Sequence, residues 1–558
     1  MDTAPRARGE RVVPLSRGHS GEGRHDPRRL QLLRRRRQEY ETRGVQRGVD
    51  RKWRLTVPSA HEHRVATATP SFGRTIGRAA ARVFPCILGA ALLADCTAPA
   101  TLVAQETAFD RYIQAPDANY AWSLVRTVEG NPTTTYVIKL TSQSWLTPAD
   151  VNRTVWEHWL IVVKPKQVAS HTALLMVTGG GNGGSPPEKA DAMIQRIAEA
   201  TRTVVAELKM VPNQPLEFHQ DGQPRKEDDL IAYGWAQFLD AGDPIWLARF
   251  PMVKSVVRAM DCLQEFTRSE QGGGDEVERF VVAGGSKRGW TTWMTGAADR
   301  RVAALVPIVI DVVNLDPSLE HHAAAYGFWA THIGDYVRHG VLRRWHEPRL
   351  QELFRHVDPY YYLDRLTMPK FVLNATGDQF FTPDSSRFYY DQLQGEKILR
   401  YVPNGDHSLR DTDAITSLLA YYQLIVTDTP RPRYEWTFES DGSIRVVTRD
   451  KPERVQVWRA TNPDARDFRV MTLGRKFEAE DLEDQGDGVF VGRAQPPERG
   501  WTAFLVELTY HCGVAAPLKV STAVRILPEK LPFEGIDPAS APYEVDVKPA
   551  PPGGSPAK

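Results

Sequence analysis

A short apolar run, Phe280-Val281-Val282-Ala283, ends in Gly284-Gly285, and Ser286 follows with a helix-compatible stretch, Lys287-Arg288-Gly289-Trp290-Thr291-Thr292-Trp293, behind it. A serine on a sharp strand-to-helix turn is how a nucleophilic hydroxyl is held exposed above a sheet edge. Such a turn brings backbones close together, and Gly284, two residues before Ser286, supplies the small neighbour it needs. Two residues after Ser286 stands Arg288, with Gly289 one place later, so the spacing reads G-x-S-x-x-G instead of G-x-S-x-G. The competing reading is a Gly-Ser turn in which Ser286 only N-caps a helix. The motif alone does not separate the two.

The partners a serine nucleophile requires follow in the right order. Upstream, the run Ala173–Val177 enters Thr178-Gly179-Gly180-Gly181-Asn182-Gly183-Gly184. A hydrolase places its oxyanion-binding loop there, and glycines let backbone N–H groups approach the developing charge. Gly180 and Gly181 are the candidates for one donor, and Lys287, the residue after the serine, for the other. Downstream, Phe371–Asn374 leads to Gly377-Asp378-Gln379-Phe380-Phe381-Thr382-Pro383-Asp384, where the orienting carboxylate belongs. Asp378 is nearest the strand end and is preferred. Asp384, in a Pro-Asp-Ser-Ser setting, reads as a helix N-cap. The run Ile398–Val402 then opens Pro403-Asn404-Gly405-Asp406-His407, placing His407 29 residues after Asp378 and 121 after Ser286 as the base. His219, His321, His322, His332 and His356 are competitors by type only.

These residues need a scaffold that presents them at one sheet edge. Tyr136, Ile138 and Leu140, then Trp156, His158, Leu160 and Val162, recur at period two, the pattern of half-buried antiparallel strands, although His158 is out of place on an apolar face. Continuous apolar runs follow at Ala173–Val177, Thr203–Leu208, Phe280–Ala283, Ala303–Ile310 and Lys370–Ala375. Such runs suit strands covered on both faces. Helical stretches such as Lys189–Thr201 and Asp228–Leu239 alternate with them, which predicts a doubly wound α/β-hydrolase-like domain over residues 105–430. Residues 314–364 interrupt the rhythm with an aromatic-rich insert, read as a lid or substrate wall, with Tyr326, Trp329 and, from the elbow, Trp290 as wall candidates. Short β runs separated by turns fill residues 431–528 and predict a small β-sandwich. A proline-rich tail, 529–558, is expected to be unstructured.

Composition narrows the function classes. The chain has 558 residues, 41% hydrophobic and 25% charged, ordinary for a globular protein. Residues 1–64 hold 17 Lys+Arg against 8 Asp+Glu, a net of +9, so with +1 for the whole chain the remainder carries −8. A mildly acidic body offers no electrostatic footprint for nucleic acid. The basic leader, 1–64, reads as a nucleic-acid- or membrane-binding arm or as an over-extended gene start; the second is preferred, because Arg74, Arg78 and Arg82 precede the apolar run Val83–Ala94, the layout of a secretory signal within residues 65–104. The expectation is an exported chain beginning near 100–106, periplasmic or extracellular, with no stable membrane insertion. Cys86 and Cys96 fall in that leader; Cys262 and Cys512 remain, too few for a cysteine-rich zinc cluster and readable as a disulfide or as two free thiols. The sequence holds no GxxxxGKS loop and no HExxH, so no cofactor and no metal are expected.

The basic residue beside the serine is similar to a departure found in glucuronoyl esterases, which are active serine hydrolases. A broader resemblance rests on Val211-Pro212-Asn213-Gln214-Pro215, Glu227-Asp228, Trp246, Phe250-Pro251-Met252-Val253-Lys254, Gly285–Trp290, Asp311-Val312-Val313-Asn314, Tyr326-Gly327, Asp358-Pro359-Tyr360, Gly377-Asp378, Phe380-Phe381 and Pro383-Asp384. With these, residues 107–527 resemble the PhoPQ-activated pathogenicity-related protein family. The resemblance implies an exported α/β-hydrolase-like protein tied to bacterial stress or host-defence resistance, with a C-terminal β domain and no known substrate. Together the residues point to a serine hydrolase acting on a small-molecule or peptide acyl ester or amide. A non-catalytic secreted binding or signalling protein on the same scaffold stays open, as does the oligomeric state.

Overall fold

The computed structural model describes residues 106–546. The basic leader, the signal-like segment, Cys86, Cys96 and the last twelve residues of the tail lie outside the described residues. Nine strands form one mixed sheet: β1 (Ala121–Val128), β2 (Thr133–Ser144), β3 (Val155–Pro165), β4 (Thr172–Val177), β5 (Val205–Leu208), β6 (Arg279–Gly285), β7 (Val302–Ile308), β8 (Lys370–Ala375) and β9 (Lys397–Val402). Their order is β1-β2-β3-β5-β4-β6-β7-β8-β9. Neighbours from β1 to β5 pair antiparallel, and every pair from β5 through β4 to β9 is parallel. The helices between them are α1 (Ala108–Gln114), α2 (Ala192–Thr201), α3 (Glu227–Ala241), α4 (Arg249–Arg268), α5 (Lys287–Ala298), α6 (Leu315–Tyr326), α7 (Gly334–Arg338), α8 (Pro348–Val357) and α9 (Ala414–Val426). This is the α/β-hydrolase architecture expected from the alternating runs.

The continuous apolar strands have a direct physical reason. On β4, Ala173, Leu175 and Val177 point into one core and Leu174 and Met176 into the other; on β6, Phe280 and Val282 part from Val281 and Ala283 in the same way. Both faces are covered, so both registers must be apolar. His158 sits on a buried face because its polar atoms are met: Nε2 lies 2.9 Å from Ser142 Oγ and Nδ1 3.1 Å from the Lys209 carbonyl. Burial pulls its pKa down to about 4, so the ring is neutral.

The strand order reverses around β4: β5 pairs on one side of it and β6 on the other. At such a switch point the loops diverge and leave a crevice beyond the carboxyl ends of the strands. Residues 179–184 leave β4 at that crevice, and the 286 turn leaves β6 beside it.

C-terminal to α9, two antiparallel sheets follow. One has the order Tyr434–Phe438, Ile444–Thr448, Val489–Gly492; the other Glu478–Asp481, Arg454–Asn462, Trp501–Tyr510, Leu518–Ser521, with Arg525–Leu527 also paired to Trp501–Tyr510. Leu518–Ser521 and Arg525–Leu527 are separate strands, and the edge strand Glu478–Asp481, exposed throughout, carries no alternation that could have revealed it. Val446, Val457, Phe504 and Leu508 share an apolar cluster with Phe371, Leu418 and Tyr421, so these sheets pack onto the α/β layer as part of one core.

The proline-rich stretch differs from expectation. Up to residue 546 it is pinned to the insert. The Trp329 N–H donates to the Pro542 carbonyl (2.8 Å) and the Glu544 N–H to the Trp329 carbonyl (2.9 Å). The Glu544 carboxylate accepts from the Thr331 N–H (2.7 Å) and from Arg469 Nη2 (2.8 Å). Proline content predicts a segment without a ladder of its own, but backbone bonds to a distant partner are invisible to composition.

Candidate active site

Ser286 closes β6 and opens α5. Its φ of 57° and ψ of −128° are strained for a residue with a Cβ, at a cost on the order of 1–3 kcal/mol. Three contacts hold the turn. The Ser286 N–H donates to the Ile308 carbonyl (2.8 Å), and the Trp290 N–H donates to the Ser286 carbonyl (2.9 Å). Gly289 lets the helix sit on the strand, because a Cβ there would come within 2.8 Å of the Gly284 carbonyl oxygen and 2.9 Å of that of Ile308. The glycine at the third position after the serine thus makes the close approach that the shorter spacing would have assigned to the second.

Arg288, the departure in the motif, has its own task. Its side chain is buried and turns away from the cavity to bind Glu227 through both terminal nitrogens (2.7 Å each) and the Val211 carbonyl through Nε (2.5 Å). A Cβ on Gly179 would lie 2.6 Å from Arg288 Nη2, so the glycine loop and the elbow fit only because residue 179 has no side chain. Lys287 Nζ joins the cluster at 2.9 Å from Glu227 and 3.0 Å from Asp228. Burial alone would raise the Glu227 carboxyl, but the Arg288 hydrogen bonds and the Lys287 charge outweigh it and hold the group well below the usual carboxylate range. Glu227 itself has φ 54°, fixed by paired bonds with the Gln214 amide (2.6 and 2.8 Å). Backbone strain at both Glu227 and Ser286 marks this region.

His407, just beyond β9, brings Nε2 to 2.8 Å from Ser286 Oγ and Nδ1 to 2.8 Å from Asp378 Oδ2. A carboxylate only accepts, so Nδ1 carries the proton and Nε2 is left to accept from the serine hydroxyl. Asp378, 4% exposed, is fixed by the Phe380 N–H on Oδ1 (2.8 Å), and the His407 N–H donates to Gln379 Oε1 (2.9 Å). Phe380 lies against the imidazole with ring centroids 4.3 Å apart. The other acid, Asp384, is engaged elsewhere, with His321 Nε2 at 3.0 Å and Arg466 Nη2 at 2.6 Å. Of the competing histidines, His322 accepts the Ala330 N–H (3.2 Å) and is held neutral by burial, down to about 3.

The N–H groups of Gly180, Gly181 and Lys287 meet no acceptor among the described residues. Lys287 is the first residue of α5, where orphan N–H groups and the helix dipole favour negative charge.

A cavity of about 60 Å³ opens on Ser286. Trp290, Ile310, Val312, Leu315, Leu319, Ile333, Phe380 and Phe381 give it apolar walls, and Asp228, Arg249, Lys287 and Tyr336 a polar end. A cavity needs at least about 10–15 Å³ to hold one water, so the space suits a short acyl chain. A larger, polar cavity of about 140 Å³ lies between Asp384 and Glu534 and holds none of Ser286, Asp378 and His407. Of the expected wall residues, Trp290 lines the cavity, whereas Tyr326 and Trp329 do not. Both are buried, Tyr326 beneath Arg469 and Trp329 against the C-terminal stretch. The Arg469 guanidinium lies 4.9 Å from the Tyr326 ring, and Trp329 Nε1 donates to the Pro538 carbonyl (3.1 Å). The insert contributes Leu315, Leu319, Ile333, Tyr336 and Leu342 instead. Tyr336 belongs to the aromatic-rich insert read as a lid or substrate wall, and it lines the cavity. Sequence reasoning assigned no role to Glu227, Asp228 or Arg249, which come from segments far from the serine; the Glu227-Asp228 pair stood out only as part of a family-like run.

Behind the acid, buried Asp311 accepts hydrogen bonds from the Tyr389 hydroxyl (2.7 Å) and from that of Tyr401. Burial lifts its carboxyl to about 7, and the nearby charges of Asp378 and Asp384 push the same way. Cys262 and Cys512 are both unpaired. Among the described residues, His171, Glu276 and Glu278 bring ligand-type atoms within 4.8 Å of one another, but all three are exposed, as ordinary surface neighbours are. No helix among the described residues is long and apolar enough to cross a membrane.

A family model described as PhoPQ-activated pathogenicity-related protein matches residues 109–469. Autocrine proliferation repressor protein A of Dictyostelium discoideum is 38% identical over 456 residues, covering 76% of this chain and 92% of the relative. Among solved structures, acetyl xylan esterase 1 of a Thermoanaerobacterium species aligns over 57% of this chain and 93% of its own at 15% identity and a TM-score of 0.41. A glucuronoyl esterase of Solibacter usitatus aligns over 56% of this chain and 86% of its own at 13% identity and a TM-score of 0.32.

Proposed function

We propose that this chain, which belongs to the PhoPQ-activated pathogenicity-related protein family, is an exported serine hydrolase that cleaves a small acyl ester or amide. The observation that carries the reading is the run of two 2.8 Å contacts from Ser286 Oγ through His407 to Asp378, assembled from three strand ends beside a small apolar cavity. Ser286 Oγ attacks the acyl carbonyl carbon while its proton passes to His407 Nε2. Asp378 holds the tautomer and stabilises the imidazolium. The N–H groups of Lys287 and of Gly180 or Gly181 receive the oxyanion. The same proton then goes to the departing oxygen or nitrogen, leaving an acyl-serine. A water deprotonated by His407 releases the acid and restores the serine.

The test is a fluorophosphonate probe and 4-nitrophenyl butyrate on the purified chain. Labelling should map to Ser286, and Ser286→Ala should lower ester turnover by about a millionfold. Unchanged turnover in that variant would refute the reading. The cavity size supports short acyl groups, and the triad chemistry serves esters and amides alike. Export rests on Arg74, Arg78 and Arg82 preceding Val83–Ala94, and N-terminal sequencing of the native protein tests it. A mature chain that retains residues 1–64 would exclude it. The name of the Dictyostelium relative supports a second reading, a secreted signalling protein on the same scaffold. An intact fold with no labelling of Ser286 would favour it.

A further inference from the structure

Arg249 is 1% exposed, yet much of its guanidinium is unused. Nη1 donates to the Lys287 carbonyl (2.5 Å) and to Thr291 Oγ (3.3 Å), with Met252 Sδ at 3.8 Å, and the group lies 4.5 Å from the Trp290 ring centroid. Nε and Nη2 are buried and meet no acceptor among the described residues. Arginine keeps its charge in proteins and offers five N–H donors in a fixed fork. Buried donors of that kind left without acceptors are costly, and native structures rarely keep them without a use.

The surroundings show what is missing. Arg249 lines the polar end of the cavity that opens on Ser286. Arg249, Lys287 and Asp228 line the cavity, and Lys287 links them to the Arg288–Glu227 pair that turns away from it, a cluster of three cations and two carboxylates. Glu227 is taken by Arg288 and Lys287. Asp228 is taken by Lys287 Nζ (3.0 Å) and the Tyr336 hydroxyl (3.3 Å). Arg249 therefore has no carboxylate partner among the described residues, and the cluster carries one uncompensated positive charge, on Arg249, whose Nη1 bonds the carbonyl of the residue after the nucleophile. A neutral acceptor would satisfy the N–H groups but leave that charge. A carboxylate satisfies both, in the two-pronged geometry that a guanidinium favours.

We propose that Arg249 binds a carboxylate of the substrate, so that this hydrolase acts on anionic esters or amides, compounds carrying a free carboxylate a few atoms from the bond that is cleaved. The proposal rests on Ser286 being the nucleophile. The small volume of the cavity limits the spacer between the two groups to a few carbons.

The test compares 4-nitrophenyl hemisuccinate with 4-nitrophenyl butyrate, for a carboxylate on the acyl side, and 4-acetoxybenzoate with phenyl acetate, for one on the leaving group. Wild type should prefer one anionic ester over its neutral counterpart by about 10- to 100-fold in kcat/KM, the range of a charged hydrogen bond. The winning pair shows which side carries the carboxylate. In Arg249→Gln that ratio should collapse toward one whatever happens to the absolute rates, and Arg249→Lys, which keeps the charge, should restore part of it. No preference in either pair, with butyrate turned over normally, overturns the anion site and leaves the hydrolase reading standing. If no ester is turned over and Ser286 is not labelled, the hydrolase reading falls, and calorimetry of succinate against butyrate on Ser286→Ala protein decides the anion site separately. Succinate binding that weakens at least tenfold on adding Arg249→Gln supports it. Equal or absent binding of the two acids overturns it.

Discussion

Arg288→Gly would convert the turn to the common G-x-S-x-G spacing, and a reading of the motif alone predicts an improved or unchanged enzyme. The structure predicts the reverse. Arg288 is the bond between the elbow and two other segments: Glu227 at the start of α3 and the Val211 carbonyl beyond β5. Removing one partner of a buried ion pair typically costs about 3–5 kcal/mol. Here the Glu227 side chain is 40% exposed and keeps Lys287 and Gln214, so about 2 kcal/mol is the expected share. Loss of the bond to the Val211 carbonyl adds about 1 kcal/mol, and glycine in the first turn of α5 adds somewhat less than the roughly 1 kcal/mol of a helix interior. Destabilisation of about 3–4 kcal/mol should appear as a lower urea midpoint with an unchanged slope. Activity should fall by more than stability explains, because the guanidinium packs directly on Gly179 and so positions the loop that offers Gly180 and Gly181. A misplaced oxyanion donor costs about 10²–10³ in kcat. The assay is 4-nitrophenyl butyrate turnover at a temperature where circular dichroism shows the variant folded. Arg288→Gly protein with wild-type kcat and wild-type urea midpoint would refute the account of the broken motif.

Two pH-dependent predictions have opposite signs. Asp311 titrates near 7 in the folded chain against an ordinary 3.8, so the folded state binds its proton more tightly and stability falls as pH rises from about 4 to about 7. Asp311→Asn removes that loss, and its stability advantage over wild type should grow between pH 5 and pH 8; parallel urea-midpoint curves would contradict this. Glu544 is the reverse case. Burial would raise its carboxyl, but the hydrogen bonds from Arg469 and Thr331 bring it down to about 2 from 4.5. Its contribution is full above about 4.5 and lost as pH falls toward 2. Glu544→Ala should therefore lower the thermal midpoint clearly at pH 7 and by less than half as much at pH 3, the measure of how far the C-terminal stretch braces the insert.

Much of this protein is legible from local pattern. The α/β rhythm follows from runs too apolar to have a wet face, and both cores of β4 and β6 are filled as that requires. The order Gly-rich loop, Ser286, Asp378, His407 is also legible, because each residue stands at the end of an apolar run, and strand ends are where a parallel sheet presents side chains together. Asp378 could be preferred over Asp384 for the same reason, its closeness to the end of β8. What the chain does with Arg288 was not legible: its partners lie 61 and 77 residues away, and a basic residue in a motif looks the same whether it faces solvent, substrate or a buried carboxylate. Arg249, Asp228 and Tyr336 reach the cavity from three separate segments with no spacing to announce them. Tyr326 and Trp329 looked like substrate wall because aromatic content is local information. Which surface they cover depended on distant segments: a C-terminal stretch more than 200 residues away takes up Trp329, and Arg469 covers Tyr326. Local sequence sets which residues can bury and where a strand must end. Which buried charge meets its partner, and which is left without one, is decided only when distant segments close on one another.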